Sequence, residues 1–367
     1  MAFEKVKKKL GFGAMRLKMN GDEVDFEEFK RMIDAFIDAG FNYFDTAHGY
    51  IDGKSELAIR ECLTSRYDRE AFVLADKLTE WYINEEKDIL PFFENQLERC
   101  GVEYFDFYLF HAMNRTNYEK FKRCNAFEII KGLKAEGKIR HIAMSFHDTA
   151  DVLDRILSEQ PAIEAVQLQI NYLDFDDPGI QSKACYDVAV KHGKKVIVME
   201  PVKGGRLAIL PDRAAEVFNA LSNRSHASYA LRYAASYPEV FMVLSGMGSI
   251  EMMNDNISTM RDFLPLDAQE LAATDRAREI IREVNQIGCT KCNYCAEVCP
   301  QKLKISEIFT AYNGFVAARI TRAEAKDALP SEGGSAADCI GCGKCESVCP
   351  QGIEIRKHLA VIAKRLK

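Results

Sequence analysis

The chain has 367 residues, too many for one small core, with 47% hydrophobic and 28% charged residues in ordinary globular proportion. Its formal net charge of −6 argues against a general nucleic-acid binder. No run approaches the roughly 18 apolar residues that span a bilayer, and the N-terminal MAFEKVKKKLGFG lacks a signal peptide's apolar stretch. The expectation is a cytoplasmic protein with neither a nucleic-acid nor a membrane partner.

Up to about residue 262, short apolar runs alternate with amphipathic stretches. Strands are predicted at Gly11–Leu17, Asn42–Thr46, Phe72–Lys77, Phe105–His111, His141–Ser145, Ala165–Ile170, Lys195–Glu200 and Phe241–Ser245. Between them the pattern predicts helices at Phe26–Ala39, Glu86–Cys100, Asn117–Glu136, Asp148–Ser158 and Ile180–His192. Gly40, Gly137 and Gly193 stand just past three of these, where a left-handed C′ residue is expected. This α/β alternation predicts a (β/α)8 TIM barrel. A doubly wound dinucleotide-binding sheet would want a Gly-x-Gly-x-x-Gly turn after the first strand, whereas Gly11 and Gly13 fall inside it. A further helix is expected at Asp267–Val284, then a short linker near Asn285–Gly288. The boundary expected is a barrel over 1–284 and a small, mainly helical, ferredoxin-like domain over 285–367, held close by that linker.

The chain has twelve cysteines, of which Cys62, Cys100, Cys124 and Cys185 are scattered and read as buried, inert residues. The other eight form two runs, Cys289-Cys292-Cys295-Cys299 before Pro300 and Cys339-Cys342-Cys345-Cys349 before Pro350. Both are C-x2-C-x2-C-x3-C-P, the spacing of bacterial two-cluster ferredoxins. Three thiolates of one tight loop can face three corners of a cubane, and the fourth, before its proline, points to the other cluster. Cys289, Cys292, Cys295 and Cys349 are therefore predicted to hold one [4Fe–4S] cluster. Cys339, Cys342, Cys345 and Cys299 are predicted to hold the other. Zinc, satisfied by two C-x2-C pairs, has no need of the remaining cysteines or the prolines. Between the runs, Ser306–Ala318 and Thr321–Asp327 read as helices, and the module resembles the helical ferredoxin domains appended to redox enzymes. The basic stretches Lys5–Lys9 and Arg356–Lys367 read as solvated faces.

Asp45-Thr46-Ala47-His48-Gly49-Tyr50, Lys77 and His111 stand at the ends of three successive predicted strands, where barrel sites are built. A phenol can donate a proton to a carbonyl oxygen as a hydride reaches the carbon. A neighbouring ammonium lowers the phenol's pKa from near 10. A carboxylate keeps that ammonium charged and in place, and a histidine orients the carbonyl.

With Gly11-Phe12-Gly13-Ala14-Met15-Arg16-Leu17, Gly137-Lys138-Ile139-Arg140, Gly204-Gly205-Arg206-Leu207, Gly246-Met247-Gly248-Ser249 and Asp255-Asn256, these residues resemble the aldo-keto reductase family over roughly Val6 to Ile257. The whole chain resembles the family branch with a C-terminal ferredoxin-like extension. The resemblance implies carbonyl reduction without a metal in the barrel, with Tyr50 as general acid, Lys77 and Asp45 as its tuning pair, and His111 as the orienting group. It also implies NAD(P)(H) held by Gly13, Met15, Arg16, Asp45, Ser145, Gln167, Met199, Pro201, Val202, Gly204, Gly205, Leu207, Gly246, Met247, Gly248, Met252 and Asn256. Three positions depart from the family pattern. Ser145-Phe146 replaces Ser-Asn, and Met199 stands where a tyrosine often stacks on the nicotinamide. Ser245–Asn256 has no Lys or Arg for a 2′-phosphate, which Glu251 would repel.

Clusters pass single electrons and a nicotinamide passes a pair as hydride, while a flavin can do both. FMN is therefore the second cofactor expectation for the barrel mouth. The leading reading is an iron–sulfur oxidoreductase acting on a carbonyl or related small molecule and exchanging electrons with ferredoxin or another carrier. The alternative is an electron-transfer or docking subunit with an idle barrel.

Overall fold

The computed structural model describes residues 3–284, 286–317 and 319–366. Its first half runs β1 (Leu10–Gly13), β2 (Met19–Asn20), β3 (Glu23–Val24), α1 (Phe26–Asp38), β4 (Tyr43–Asp45), α2 (Lys54–Ile59), β5 (Val73–Leu78), α3 (Ile89–Cys100), β6 (Phe105–Met113), α4 (Arg115–Arg123), α5 (Ala126–Ala135), β7 (Ile139–Phe146), α6 (Ala150–Glu159), β8 (Ala165–Gln169), α7 (Ser182–Lys191) and β9 (Lys195–Met199). Then come α8 (Asp212–Asn219), α9 (His226–Ala235), β10 (Val240–Ser245), α10 (Ile250–Met260) and α11 (Ala268–Glu283). The C-terminal part holds α12 (Tyr294–Glu297), α13 (Ile305–Val316), α14 (Arg322–Asp327), α15 (Lys344–Ser347) and α16 (Ile355–Arg365).

Eight strands, β1 and β4 to β10, close into a parallel barrel in which β10 pairs β1; β2 and β3 form a separate hairpin. Strands β4 to β7, β9 and β10 send Tyr43, Ala75, Phe107, Ala143, Ile197 and Met242 into one interior cluster, onto which Phe3 and Val6 pack. Gly11 in β1 has no room for a side chain there, since a Cβ would lie 2.7 Å from Leu244 Cδ2. The helix α1 shows why the outer layer forms. Asp25 caps it by accepting from the Glu28 N–H at 3.1 Å, and Phe29, Met32, Ile33 and Phe36 bury one stripe. Each such side chain contributes roughly 1.5–3 kcal/mol by leaving water.

Several sequence expectations are corrected. The single helix predicted over Asn117–Glu136 is two, because Asn125 adopts a left-handed φ of 53° between α4 and α5. The Lys5–Lys9 stretch is not merely solvated: Lys8 and Lys9 donate to the carbonyls of Ala39 and Ala235, at the C-terminal ends of α1 and α9. The basic tail forms α16, which buries Ile355, Leu359 and Ile362. Two predicted ranges reach Ala318 and Lys367, and the predicted linker includes Asn285; those three residues lie outside the described ones.

By contacts the chain divides into Met1–Pro201 with Ser228–Leu266, which carries the barrel strands, and Val202–Ala227 with Asp267–Lys367. Contacts thus draw a line other than 284/285, assigning α11 and the segment after Pro201 to the cysteine-bearing unit. In that unit α8 packs on α11. Leu303, Ile305, Ile308, Phe309, Leu359 and Ile362 form its apolar core around Cys295 and Cys345. Its two cysteine runs share one backbone course. Lys291, Asn293 and Lys302 are left-handed (φ 58°, 67°, 51°), as are Gly341, Gly343 and Gly352 (φ 72°, 78°, 59°) at a constant offset of 50 residues.

Candidate functional site

The catalytic candidates come together. Asp45 ends β4, Lys77 lies in β5, His111 lies in β6, and Tyr50 sits in the loop after β4. Lys77 is wholly buried, and its Nζ donates to Asp45 Oδ1 and to the Thr46 carbonyl, each at 2.7 Å. The same nitrogen lies 5.0 Å from the centre of the Tyr50 ring. Tyr50 and His111 meet edge to face at 6.0 Å. Burial pushes the Asp45 carboxyl up, with the Lys77 charge opposing it.

Local structure holds these groups. After Tyr50, Ile51 and Asp52 are both left-handed (φ 54° and 52°), which fixes the loop at a cost of order 1–2 kcal/mol per residue. Behind the loop, Thr46 Oγ1 meets Ser55 Oγ at 2.7 Å, and His48 meets the buried Glu56 at 2.9 Å. Gln96 donates to Glu56, Asp76 and the Lys77 carbonyl, bracing β5 from outside. Burial and the nearby Glu56 carboxylate hold Asp76 well above the carboxylate range.

Sequence reasoning missed Thr79, whose Oγ1 lies 2.7 Å from His111 Nδ1. The Thr79 hydroxyl thus occupies Nδ1 and leaves Nε2 as the ring's other polar atom. Burial first, then Lys77 and His147, hold His111 well below its ordinary value, so it is neutral. Burial lowers His147 to about 4. The unfolded chain protonates both near 6.5, the folded chain only at lower pH. Their stabilisation is therefore full above about pH 6.5 and is lost as pH falls toward 4, on the order of 1 kcal/mol per pH unit per group. The melting temperature should drop across that window, and His147→Asn should flatten the slope. An equally steep slope in the variant would show that His147 does not carry the effect.

Ser145 and Gln167 are register partners on β7 and β8. Gln167 Oε1 is buried with no hydrogen-bond partner, and Ser145 Oγ accepts from the Ala112 N–H at 2.8 Å, keeping its own proton to donate. An idle acceptor beside a hydroxyl donor fits a carboxamide. Met199 ends β9 and Pro201 follows it. Gly13 and Met15 lie at and after the end of β1. Arg16 lies across the turn after β10: a Cβ on Gly246 would be 3.1 Å from its Cδ, and one on Gly248 3.2 Å from its carbonyl oxygen. This brings a guanidinium to a stretch that has no cation of its own. Met247 is buried, Met252 is exposed, and Asn256 Nδ2 donates to Ser245 Oγ at 2.8 Å. A second residue missed from sequence is Glu28, whose buried carboxylate accepts from the Ile250 N–H at 2.8 Å, at the start of α10, and pairs with Arg31. Val202, Gly204, Gly205 and Leu207 belong to the other unit.

In that unit the eight clustered cysteines line two cavities. Cys289, Cys292, Cys295 and Cys349 line one cavity. Cys299, Cys339, Cys342 and Cys345 line another. Among the described residues, none of the eight is in a disulfide. Burial and then Cys292, Cys289 and Cys349 push the Cys295 thiol far up, and burial, Glu346, Cys339 and Cys299 push Cys345 up to about 11. Four ligating thiolates crowded in one pocket need a cationic centre, so the donor set fits iron–sulfur clusters. Cys62, Cys100, Cys124 and Cys185 are buried, and burial drives the Cys62 and Cys185 thiols each up to about 12.

A (β/α)8 barrel with this buried constellation, joined to a cysteine-lined helical unit, is the architecture of a redox enzyme. Residues 9–279 match the aldo/keto reductase family, and the chain belongs to that family as an oxidoreductase. Residues 288–354 match a 4Fe-4S dicluster domain. An oxidoreductase of Schizosaccharomyces pombe is 23% identical over 263 residues, 68% of this chain and 80% of that one. An aldo-keto reductase of Mycobacterium sp. (strain KMS) is 31% identical over 147 residues, 39% of this chain and half of that one. In structure, the holo form of aldo-keto reductase AKR11C1 from Bacillus halodurans superposes with a TM-score of 0.62 at 23% identity, covering 74% of this chain and 92% of that one. A Klebsiella pneumoniae aldo/keto reductase in complex with NADP and acetate gives 0.60 at 22% identity, covering 73% and 90%. Among the described residues no helix is long and apolar enough to cross a membrane.

Proposed function

We propose that the barrel reduces, or in reverse oxidises, the carbonyl of a small molecule, with Tyr50 as the proton donor. The observation that carries this is the Lys77 ammonium, buried between the Asp45 carboxylate and the Tyr50 ring. A bound nicotinamide supplies the hydride. Tyr50 gives its phenolic proton to the carbonyl oxygen, and Lys77 stabilises the phenolate left behind. Asp45 holds the ammonium in place. Neutral His111, its Nδ1 occupied by Thr79, turns Nε2 to the same carbonyl oxygen, and in this reading Nε2 carries the proton it donates. Ser145 and Gln167 are assigned to the nicotinamide carboxamide; Gly13, Met15, Arg16, Gly246, Met247, Gly248, Met252 and Asn256 are assigned to the rest of the dinucleotide, together with Met199 and Pro201.

Cys289, Cys292, Cys295 and Cys349 hold one [4Fe–4S] cluster and Cys299, Cys339, Cys342 and Cys345 the other, in this reading. They supply one-electron chemistry, exchanged with ferredoxin or another carrier. Absorption spectra of anaerobically purified protein, with extraction of the bound cofactor, test the assignment and separate nicotinamide from FMN. A flavin spectrum would overturn the nicotinamide reading. An anaerobic assay of NAD(P)H or reduced-ferredoxin oxidation against a carbonyl panel separates this enzyme from an idle barrel: no turnover with any combination sinks the proposal.

The start of α10 bears on NADH against NADPH. A helix N-terminus after the last barrel strand is a natural phosphate seat. Here the Glu28 carboxylate takes the Ile250 N–H, and Arg31 with that N–H holds it below the usual carboxylate range, hence ionised. NADH should therefore be preferred over NADPH. Glu28→Gln should move the ratio of their kcat/KM values about tenfold toward NADPH, near 1.4 kcal/mol. An unchanged ratio removes Glu28 from specificity.

A further inference from the structure

The ladder between β6 and β7 breaks beside the site. Phe110 pairs with Met144, and the next pair is Met113 with Phe146, three steps along β6 against two along β7. β6 thus carries an extra residue, a β-bulge, and His111 and Ala112 lie inside it. Ala112 has a left-handed φ of 50°, a conformation that costs any residue but glycine. Such strain persists only where the surroundings hold it. Here side chains hold it. The Ala112 N–H donates to Ser145 Oγ at 2.8 Å, and its carbonyl accepts from Asn117 Nδ2 at 2.8 Å and from Asn114 Nδ2 at 3.3 Å. Past the bulge the strands rejoin, with the His147 N–H donating to the Met113 carbonyl at 2.8 Å.

The two asparagines have different duties. Asn114 is the N-cap of α4, and its Oδ1 accepts from the N–H groups of Thr116 and Asn117, each at 2.9 Å. Asn117 stands in the first turn of that helix, and its side-chain amide reaches back to the Ala112 carbonyl. His111 directly precedes Ala112; its ring meets Thr79 Oγ1 at 2.7 Å and the Tyr50 ring edge to face. Ser145 carries the hydroxyl assigned above to the nicotinamide carboxamide. One strained residue therefore links the group that orients the carbonyl to a group that orients the cofactor.

We propose that Asn117 is a positioning residue for carbonyl reduction: by holding the Ala112 carbonyl, it keeps His111 and Ser145 in fixed relation, so that the substrate carbonyl and the nicotinamide are presented together. Asn117 acts through Ala112, and no bond is made or broken at its own side chain. The proposal rests on the function proposed above. A displacement of about 1 Å between reacting groups can cost a hundredfold in rate, so a clamp remote from the chemistry governs turnover.

The test compares the full-length parent with Asn117→Asp. Aspartate keeps the shape, but its carboxylate cannot donate and repels the Ala112 carbonyl. A carboxylate in the first turn suits a helix N-terminus, so α4 is not weakened. The kcat should fall about tenfold or more, with KM for the nicotinamide changed less and the melting temperature no lower than the parent's. Adding Ala112→Gly, which takes the left-handed backbone without strain, should restore most of the lost kcat. Turnover like the parent's overturns the proposal. So does a loss that follows the melting temperature down and that Ala112→Gly does not relieve. A parent that reduces no carbonyl instead defeats the reading of the barrel, and NMR spectra of the histidine ring nitrogens then decide the clamp. The His111 resonances, assigned with His111→Gln, should move in Asn117→Asp; unmoved resonances overturn the proposal whether or not the barrel turns over.

Discussion

Tyr50→Phe should lower kcat by roughly 10²- to 10⁴-fold while leaving iron content and nicotinamide affinity near those of the parent. The phenylalanine keeps the ring, so its edge contact with His111 and its place beside Lys77 survive. What disappears is one O–H. Lys77→Met should be nearly as damaging to turnover and worse for stability, because it leaves Asp45 in a buried site without its cation. Asp45 Oδ2 has no hydrogen-bond partner, so that carboxylate depends on the lysine all the more. Stopped-flow measurement of nicotinamide oxidation would distinguish a chemical defect from a binding defect. A Tyr50→Phe protein that turns over like the parent would remove the phenol from the reaction and leave the constellation as packing.

Cys349→Ser should halve the iron, from about eight to about four per chain, and it should do so by emptying the site built by the other run. The reason is the crossed lining: Cys349 belongs in sequence to the second run but lines the cavity of Cys289, Cys292 and Cys295. Cys349→Ser and Cys295→Ser should therefore share one spectroscopic defect, and Cys299→Ser should share another with Cys345→Ser. Stability should fall sharply as well. Two helices of this unit, α12 and α15, have four residues each, too short to stand on their own hydrogen bonds. Cys295 and Cys345 sit within its apolar core, so metal binding and folding are one equilibrium there. If Cys349→Ser matched Cys345→Ser rather than Cys295→Ser, each run would serve its own cluster and the crossed assignment would be wrong.

The barrel was legible because its strands are buried apolar runs and its helices carry one apolar stripe. Gly40, Gly137 and Gly193 adopt φ of 84°, 77° and 63°, as their places after helices led one to expect. The hairpin β2–β3 was not legible, since strands of two residues have no alternation to read. Nor was the break at Asn125, where the apolar pattern continues through a residue that changes backbone hand. At the site, Asp45, Tyr50, Lys77 and His111 stood out by position at strand ends. Thr79, Glu28, Gln96 and Glu56 did not, because each acts through a partner 19 to 222 residues away that only folding supplies. The left-handed turns of the first cysteine run were hidden for another reason. Lys291, Asn293 and Lys302 carry the conformation that glycine announces in the second run.

The cysteine-bearing unit is discontinuous, drawing Val202–Ala227 from the middle of the chain. Gly204 meets Thr290 backbone to backbone, Arg206 donates to Gln286, and Arg319 donates to the Ile209 carbonyl. A ribosome releases residues 202–227 long before residues 286–319 exist, so this segment must wait for the C-terminus to find its seat. The unit is consequently no detachable cassette. Cut away after α11, it would strand its own first segment, and grafted onto a different scaffold it would arrive with one wall missing.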